Sequence, residues 1–249
     1  MRSFLKVFLI LNLSLLFIAG CKNEVDDFTL HTANEYFPSE VGKEIIYRLD
    51  STVFRSGRFL EVHSYQEKHV VDALITDNLN RPSYRIFRYL RDTAGIQQWT
   101  IDGTYFITPT ANAVEVIEDN LRIIKLASPL RTGHTWKGTT FLSMEPYSSV
   151  YDFSNDDDMD LWEFSIDEIG ETLSINGKSY TDVITVSAID QSFNVPLTDF
   201  TSIAIRSLYK EKYAKNIGLI HQEYILWDYQ PTTANTIGFG VKRSIISHN

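Results

Sequence analysis

The sequence predicts a mainly β protein: antiparallel, with a strongly curved sheet, a barrel-like roll or a sandwich, after an N-terminal signal peptide. Two observations carry that reading. From Glu44 to Ile246 the chain runs through short stretches rich in Ile, Val, Thr, Tyr, Phe and Trp, separated by Gly, Pro, Asn and Asp, which is the composition of strands and turns. No stretch after residue 20 keeps a long, capped apolar period of 3.6 residues, so helix is limited to short turns near Thr32–Tyr36 and Pro196–Phe200.

In chain order the expected strands are Glu44–Arg55, Arg58–Thr76, Ser83–Asp92, Ile96–Ile101, Thr104–Thr108, Ala113–Glu118 and Leu121–Leu126. Trp136–Ser143, Trp162–Ile175, Lys178–Ser187, Ser202–Tyr213, Leu219–Tyr229 and Gly240–Ile246 follow. The longest exceed a usual strand of about 5–6 residues and should contain bulges. Asp102-Gly103 and Asn176-Gly177 suit type I′ hairpins, whose two positive φ angles favour Asn, Asp and Gly, and Asp92–Gly95 is a looser turn. If Ile225, Trp227 and Tyr229 share one face and Tyr224 and Leu226 the other, that strand is buried on both sides.

The first twenty residues read as a removable signal. Arg2 and Lys6 give a positive start, and Val7–Ala19 is an apolar run of 13 residues, short of the roughly 20 that a spanning helix needs. Ile18-Ala19-Gly20-Cys21 resembles the bacterial lipobox. That resemblance implies cleavage between Gly20 and Cys21, a diacylglycerol on the Cys21 thiol and a fatty acyl chain on its amine. The thiolate is the nucleophile such chemistry needs, and several acyl chains anchor firmly where one is marginal. The expected organisation is a signal peptide at 1–20, a lipidated tether at 21–36 and an antiparallel β domain at 37–249.

Removing residues 1–20 changes the balance from 23 basic and 32 acidic residues to 21 and 32. Such acidity argues against nucleic acid, which requires a basic patch. Cys21 is the one cysteine, so once lipidated it leaves no thiol for a disulfide, a thiolate metal site or a nucleophile. The acidic run Glu24, Asp26, Asp27 loosely resembles the export signal of Bacteroidetes surface lipoproteins, or is a plain solvated linker.

Pro38-Ser-Glu-Val-Gly42-Lys-Glu-Ile45 is echoed 91 residues later by Pro129-Leu-Arg-Thr-Gly133-His-Thr-Trp136. Two related β units, about 37–126 and 127–249, would produce this, and so would one turn used twice. These segments, with Ile217-Gly-Leu-Ile-His-Gln-Glu-Tyr-Ile-Leu-Trp-Asp-Tyr-Gln-Pro231 and Gly238–Arg243, resemble a group of Bacteroidetes lipoproteins. The matching patterns are F-P-x-x-V-G, L-x-x-P-L-x-x-G-x-x-W-x-G (with Ser128 before the proline) and I-G-L-I-x-x-E-Y-x-x-W-x-Y-Q-P. The resemblance implies a place in the envelope and no reaction.

Asp156, Asp158 and Asp160, with Asp167 at the twelfth position, have the alternate oxygen-ligand spacing of a calcium loop, but Leu161 stands where its sharp turn needs Gly. A solvated acidic loop is the competing reading. Glu163, Asp167 and Glu168 could pair as glycosidase carboxylates. His63 and His69 are too far apart to share an ion, roughly 20 Å along one strand face, and His134, His221 and His248 suit surface or capping positions. Trp99, Trp136, Trp162 and Trp227 could line a sugar or lipid groove, although strand cores use such residues routinely. The hydrolase elbow, P-loop, G-x-G-x-x-G and H-E-x-x-H patterns are missing from the sequence.

The sequence therefore describes a lipid-anchored envelope protein, expected at the outer membrane with its leaflet undecided, acting as a binding or structural module of unknown ligand. No cofactor or nucleic acid is implied, and the membrane is reached through the N-terminal lipid. Two alternatives stand beside this. A carrier of a lipid or other apolar ligand in a half-open barrel needs a continuous apolar cavity, and a hydrolase needs the acids of 156–168 in a cleft. Mass spectrometry of the mature N-terminus should show an acylated Cys21 in the wild type and loss of the acyl mass in Cys21→Ala; an unacylated wild type removes the anchor.

Overall fold

The computed structural model describes residues 32–55, 59–151, 153 and 158–249. They form an almost purely β structure in which twelve antiparallel strands make one nearly closed, barrel-shaped sheet. The first six strands are β1 (Glu44–Arg55), β2 (Phe59–Thr76), β3 (Pro82–Asp92), β4 (Thr100–Pro109), β5 (Ala113–Glu118) and β6 (Leu121–Ala127). The other six are β7 (Thr135–Lys137), β8 (Glu163–Ile175), β9 (Lys178–Phe193), β10 (Ala204–Ala214), β11 (Gly218–Gln230) and β12 (Asn235–His248). Sheet order runs β6-β5-β4-β3-β2-β1-β12-β11-β10-β9-β8-β7. Each half is thus a six-strand meander, and the halves are joined along β1 and β12.

The repeated Pro-x-x-x-Gly segments each open one meander with the same hydrogen bonds. The Gly42 amide donates to Val71 O at 2.8 Å, Val71 returns a bond to Lys43 O at 2.9 Å, and Lys43 donates to Glu40 O at 3.2 Å. Ninety-one residues on, Gly133 donates to Ile166 O at 2.8 Å, Ile166 to His134 O at 3.0 Å, and His134 to Arg131 O at 3.1 Å. Gly42 and Gly133 have φ of 91° and 77°, the left-handed region that costs glycine least.

The remaining gap lies between the outer edges β6 and β7. Unpaired strand edges invite non-native pairing, and here the Ile124 amide donates to Gly138 O at 2.8 Å while the Trp136 indole donates to Ile124 O at 2.8 Å. A Cβ on Gly138 would stand 2.4 Å from the ring of Phe164, which is fully buried. The seam therefore needs a residue without a side chain.

The entering chain stoppers the end of the barrel at which β1 begins. Thr32 and Glu35 form a capping box over the short 3-10 turn Ala33–Tyr36. Tyr36 and Phe37 are buried there, with the Phe37 ring 4.9 Å from that of Tyr213. The Asn216 amide, in the β10–β11 turn, donates to Glu35 O at 2.7 Å, and Lys215 pairs with Glu35 at 2.9 Å.

Several sequence expectations meet a different structure. Ile96–Ile101 and Thr104–Thr108 are not two strands about an Asp102-Gly103 hairpin: β4 runs through both residues, with a register shift opposite Arg88 and Tyr89. Gly103 is required because an added Cβ would lie 2.6 Å from the Arg88 guanidinium. Asp92–Gly95 is the true turn there. Trp136–Ser143 shortens to three residues, since the chain leaves the ladder at the seam, and Pro196–Phe200 is a loop pinned by the Asn194 and Asp199 side chains. Asn176 and Gly177 do form the expected tight turn, with φ of 51° and 76°. Strand β11 is buried on both sides: Tyr224 and Leu226 belong to the main core, whereas Ile225, Trp227 and Tyr229 pack outside it with Leu197 and Phe54.

Outward positions of the wall carry Arg48, Asp50, Gln66, Lys68 and Arg91, where a lipid-spanning barrel presents an apolar band about 25 Å tall. Gly138→Ala should lower stability by about 1–3 kcal/mol through overpacking against Phe164, read as a drop in the urea midpoint; an unchanged midpoint would mean that the seam can widen.

Candidate functional site

Inward positions alternate along each strand, and around mid-height they are charged. On β2 the inward run is Glu67, His69, Val71; it faces Arg243 of β12, Gln222 of β11, Glu211 of β10 and Lys125 of β6. Hydropathy alternation assigns such residues to the solvent face, yet Glu67, Glu211 and Gln222 are 1%, 1% and 4% exposed. Burial of this kind persists only where every charge is paired and hydrogen-bonded.

The pairing is continuous across the lumen. Arg243 grips Glu67 with two donors, Nε to Oε2 at 2.5 Å and Nη2 to Oε1 at 3.1 Å, the bidentate geometry that favours arginine over lysine. Its Nη1 donates to Gln222 Oε1. Gln222 Nε2 donates to Glu211 Oε1 at 2.6 Å, and Tyr213 Oη donates to Glu211 Oε2 at 2.5 Å. Lys125, the extra residue of a bulge in β6, reaches Glu211 at 2.8 Å and also donates to Tyr209. On the other flank His69 lies 3.1 Å from Glu67 through Nε2 and 2.9 Å from Tyr105 Oη through Nδ1.

Burial alone would raise Glu67, but Arg243 and His69 outweigh it and hold its carboxyl well below the usual range. Burial would likewise lower Arg243, and Glu67 pushes it up instead. Tyr47, Tyr105, Tyr209 and Tyr213 are all pushed above the ordinary phenol value, chiefly by burial. Tyr105, His69 and Glu67 line up as hydroxyl, imidazole and carboxylate, the order of a nucleophile relay. However, the cavity beside them is only about 60 Å³, room for a few waters, and a phenol raised in this way is a poor nucleophile.

Beyond the belt, on the side away from Phe37, lies a cavity of about 390 Å³. Arg88, Glu118, Lys125 and Arg243 line it. Arg88 donates to Glu118 and lies 3.4 Å from Asp102. Burial would raise Glu118, and Arg243, Arg88 and Lys125 together bring it below its ordinary value. Four rings line the same space, Tyr147, Tyr151, Tyr224 and Phe239, with Phe239 and Arg243 both carried by β12. Phe239 meets Tyr224 edge-on at 5.0 Å and Tyr147 at 5.2 Å, and the Tyr147 and Tyr224 hydroxyls are 2.9 Å apart. The belt interrupts the lumen, so the continuous apolar cavity expected of a lipid carrier is not what these walls enclose.

The residues singled out in the sequence lie elsewhere. Gly20, Cys21, Glu24, Asp26, Asp27 and Asp156 fall outside the described residues. Asp158 has a left-handed φ of 48°, Asp160 sits in the 3-10 turn Met159–Leu161, and Asp167 accepts the hydroxyls of Ser165 and Ser187 at 2.9 and 2.8 Å. No group of three or more His, Cys, Asp or Glu among the described residues is placed to hold a metal. Glu163 and Glu168 are exposed on β8, with Glu168 pushed up by its hydrogen bond to Glu171, and neither they nor Asp167 line the cavities of about 60 and 390 Å³. The four tryptophans also miss the cavity: Trp162 is core, Trp227 is under the outer loop, Trp136 closes the seam, and Trp99 stacks with Arg91 at 4.2 Å.

No family model and no curated protein matches the sequence. Among solved structures, one described as "a putative lipoprotein from Parabacteroides distasonis ATCC 8503" is similar at 10% identity over 85% of this chain and 98% of that one, with a TM-score of 0.38. At that score the likeness carries no information about function.

The belt makes stability depend on acid. Because Glu67 is lowered on folding, its contribution is complete above the ordinary value of 4.5 and is lost as pH falls below it. Between pH 6 and 3 the wild type should therefore lose more unfolding free energy in urea than Glu67→Gln does. Arg243→Leu, which strands Glu67, should cost about 3–5 kcal/mol at pH 7; matching acid slopes, or a neutral Arg243→Leu, would show that the pair contributes nothing.

Proposed function

We propose that the protein is a lipid-anchored envelope module that binds a small ligand inside its barrel, in the compartment beyond the charged belt. The observation that carries this is the cavity of about 390 Å³ lined by both charged groups and four aromatic rings. Its size falls within the roughly 300–1,000 Å³ of small-molecule sites, and a few convergent polar groups on a largely preformed surface are what such sites use for orientation.

The anchor reading rests on Ile18-Ala19-Gly20-Cys21 and its charged, apolar lead. It gains a geometric sense from the chain's entry point. Residues next to the tether meet the barrel at the end stoppered by Tyr36 and Phe37, whereas the cavity lies toward the opposite end, by the β5–β6 turn at Asp119. The compartment takes residues from both six-strand meanders.

The test is a thermal-shift screen of small polar compounds on the full chain in detergent. A true lumenal ligand raises the melting temperature by mass action, loses that effect in Val241→Trp, which fills the cavity from its wall, and keeps it in Val62→Trp on the exposed outer face. Equal shifts in both variants would place binding outside the barrel and overturn the proposal.

A further inference from the structure

We infer that the compartment takes a neutral, hydroxyl-rich ring, a mono- or disaccharide; this deepens the lumenal-binding reading and rests on it. The interior holds three acids, Glu67, Glu118 and Glu211, and three permanent bases, Arg88, Lys125 and Arg243, each already engaged with a partner of opposite sign. A charged ligand would have to break one of these pairs or bring an unmatched charge into a buried site, and both are costly. A neutral ligand that only donates and accepts hydrogen bonds leaves the pairs intact.

Hydrogen-bonding capacity remains after the pairing. A guanidinium has five donors and a carboxylate about four acceptor positions, more than their mutual contacts use. Arg88 Nε is buried with no acceptor among the described residues, held across Gly103 where any side chain would displace it. Asp119 and Gln222 add further polar groups around the same space. This part of the lining suits hydroxyls and repels an alkyl chain.

The aromatic part of the lining has the contrary preference. The negative faces of Tyr and Phe rings attract polarised C–H groups, and Tyr147, Tyr151, Tyr224 and Phe239 supply four such rings. A pyranose is two-faced in the matching way, with C–H bonds on one face and hydroxyls around its rim. Neither a fatty acid nor a small anion satisfies both parts.

The experiment uses the full chain in detergent and titrates glucose, galactose, N-acetylglucosamine and their disaccharides by calorimetry and saturation-transfer NMR. Glucuronate and glucosamine serve as charged versions of the same ring, and laurate as the apolar probe. At least one neutral sugar should bind, at least tenfold more tightly than its charged counterparts. Tyr151→Ala and Glu118→Gln should each weaken it tenfold or more; if Tyr151→Ala fails to fold, Phe239→Leu is read in its place. The saccharide class is overturned if no neutral sugar binds, if a charged ring binds as tightly as the neutral one, or if laurate alone binds. A laurate or glucuronate signal abolished by Val241→Trp would overturn only the ligand class and leave lumenal binding standing, whereas a signal indifferent to that variant would remove both.

Discussion

The two-pronged contact between Arg243 and Glu67 is the interaction around which this barrel is arranged. Eight strands enclose a space that side chains can fill, and sixteen or more leave a water channel; twelve lie between. Short apolar residues from opposite walls cannot meet at the centre of such a lumen, and long ones must. Arg243, Lys125, Arg88 and the tyrosines supply the length, but their heads are polar and have to be neutralised where they end. The belt is the consequence. Each charge stands opposite another brought from a strand on a different part of the wall, so the pairing also records that β2, β12, β10 and β6 are correctly placed.

That same requirement partitions the interior. On the stoppered side, Val71, Ile86, Ile107 and Val116 close up around a small residual space. On the other side the tyrosines of the long β7–β8 connection keep their distance from the charged heads, and the larger cavity is the gap between them. The larger cavity is thus a by-product of how the lumen is braced, which is why charged heads and aromatic rings both line it.

Much of the fold could be read from the chain. The β1, β5, β8 and β11 runs alternate or carry dense β-branched and aromatic residues, and eight of the twelve strands were legible within two residues of their ends, whereas β4, β7, β9 and β12 were not. The errors have physical causes. Asp102-Gly103 has the composition of a hairpin, yet its glycine serves an arginine on the neighbouring strand, a contact that no local pattern reports. The site was harder still. Glu67, Glu211 and Arg243 occupy inward positions that a hydropathy pattern assigns to water, and their partners lie up to 176 residues away in sequence. One signal was available: Glu67 and His69 alternate with the inward Val71 on a long strand, so charged residues shared a face with core. Glu163, Asp167 and Glu168 drew notice through their density, and on β8 they line neither of the two cavities described above.

The closure between β6 and β7 differs in kind from the rest of the wall. Every other neighbouring pair of strands shares a ladder, whereas this junction rests on the Ile124 amide, the Trp136 indole and the space left by Gly138. Local opening in proteins follows the lines of fewest cooperative bonds. Amide protons flanking this slit would exchange with solvent ahead of those along β1 and β12, and the barrel would breathe like a rolled sheet along one pleat, widening the lumen sideways without disturbing its stoppered end.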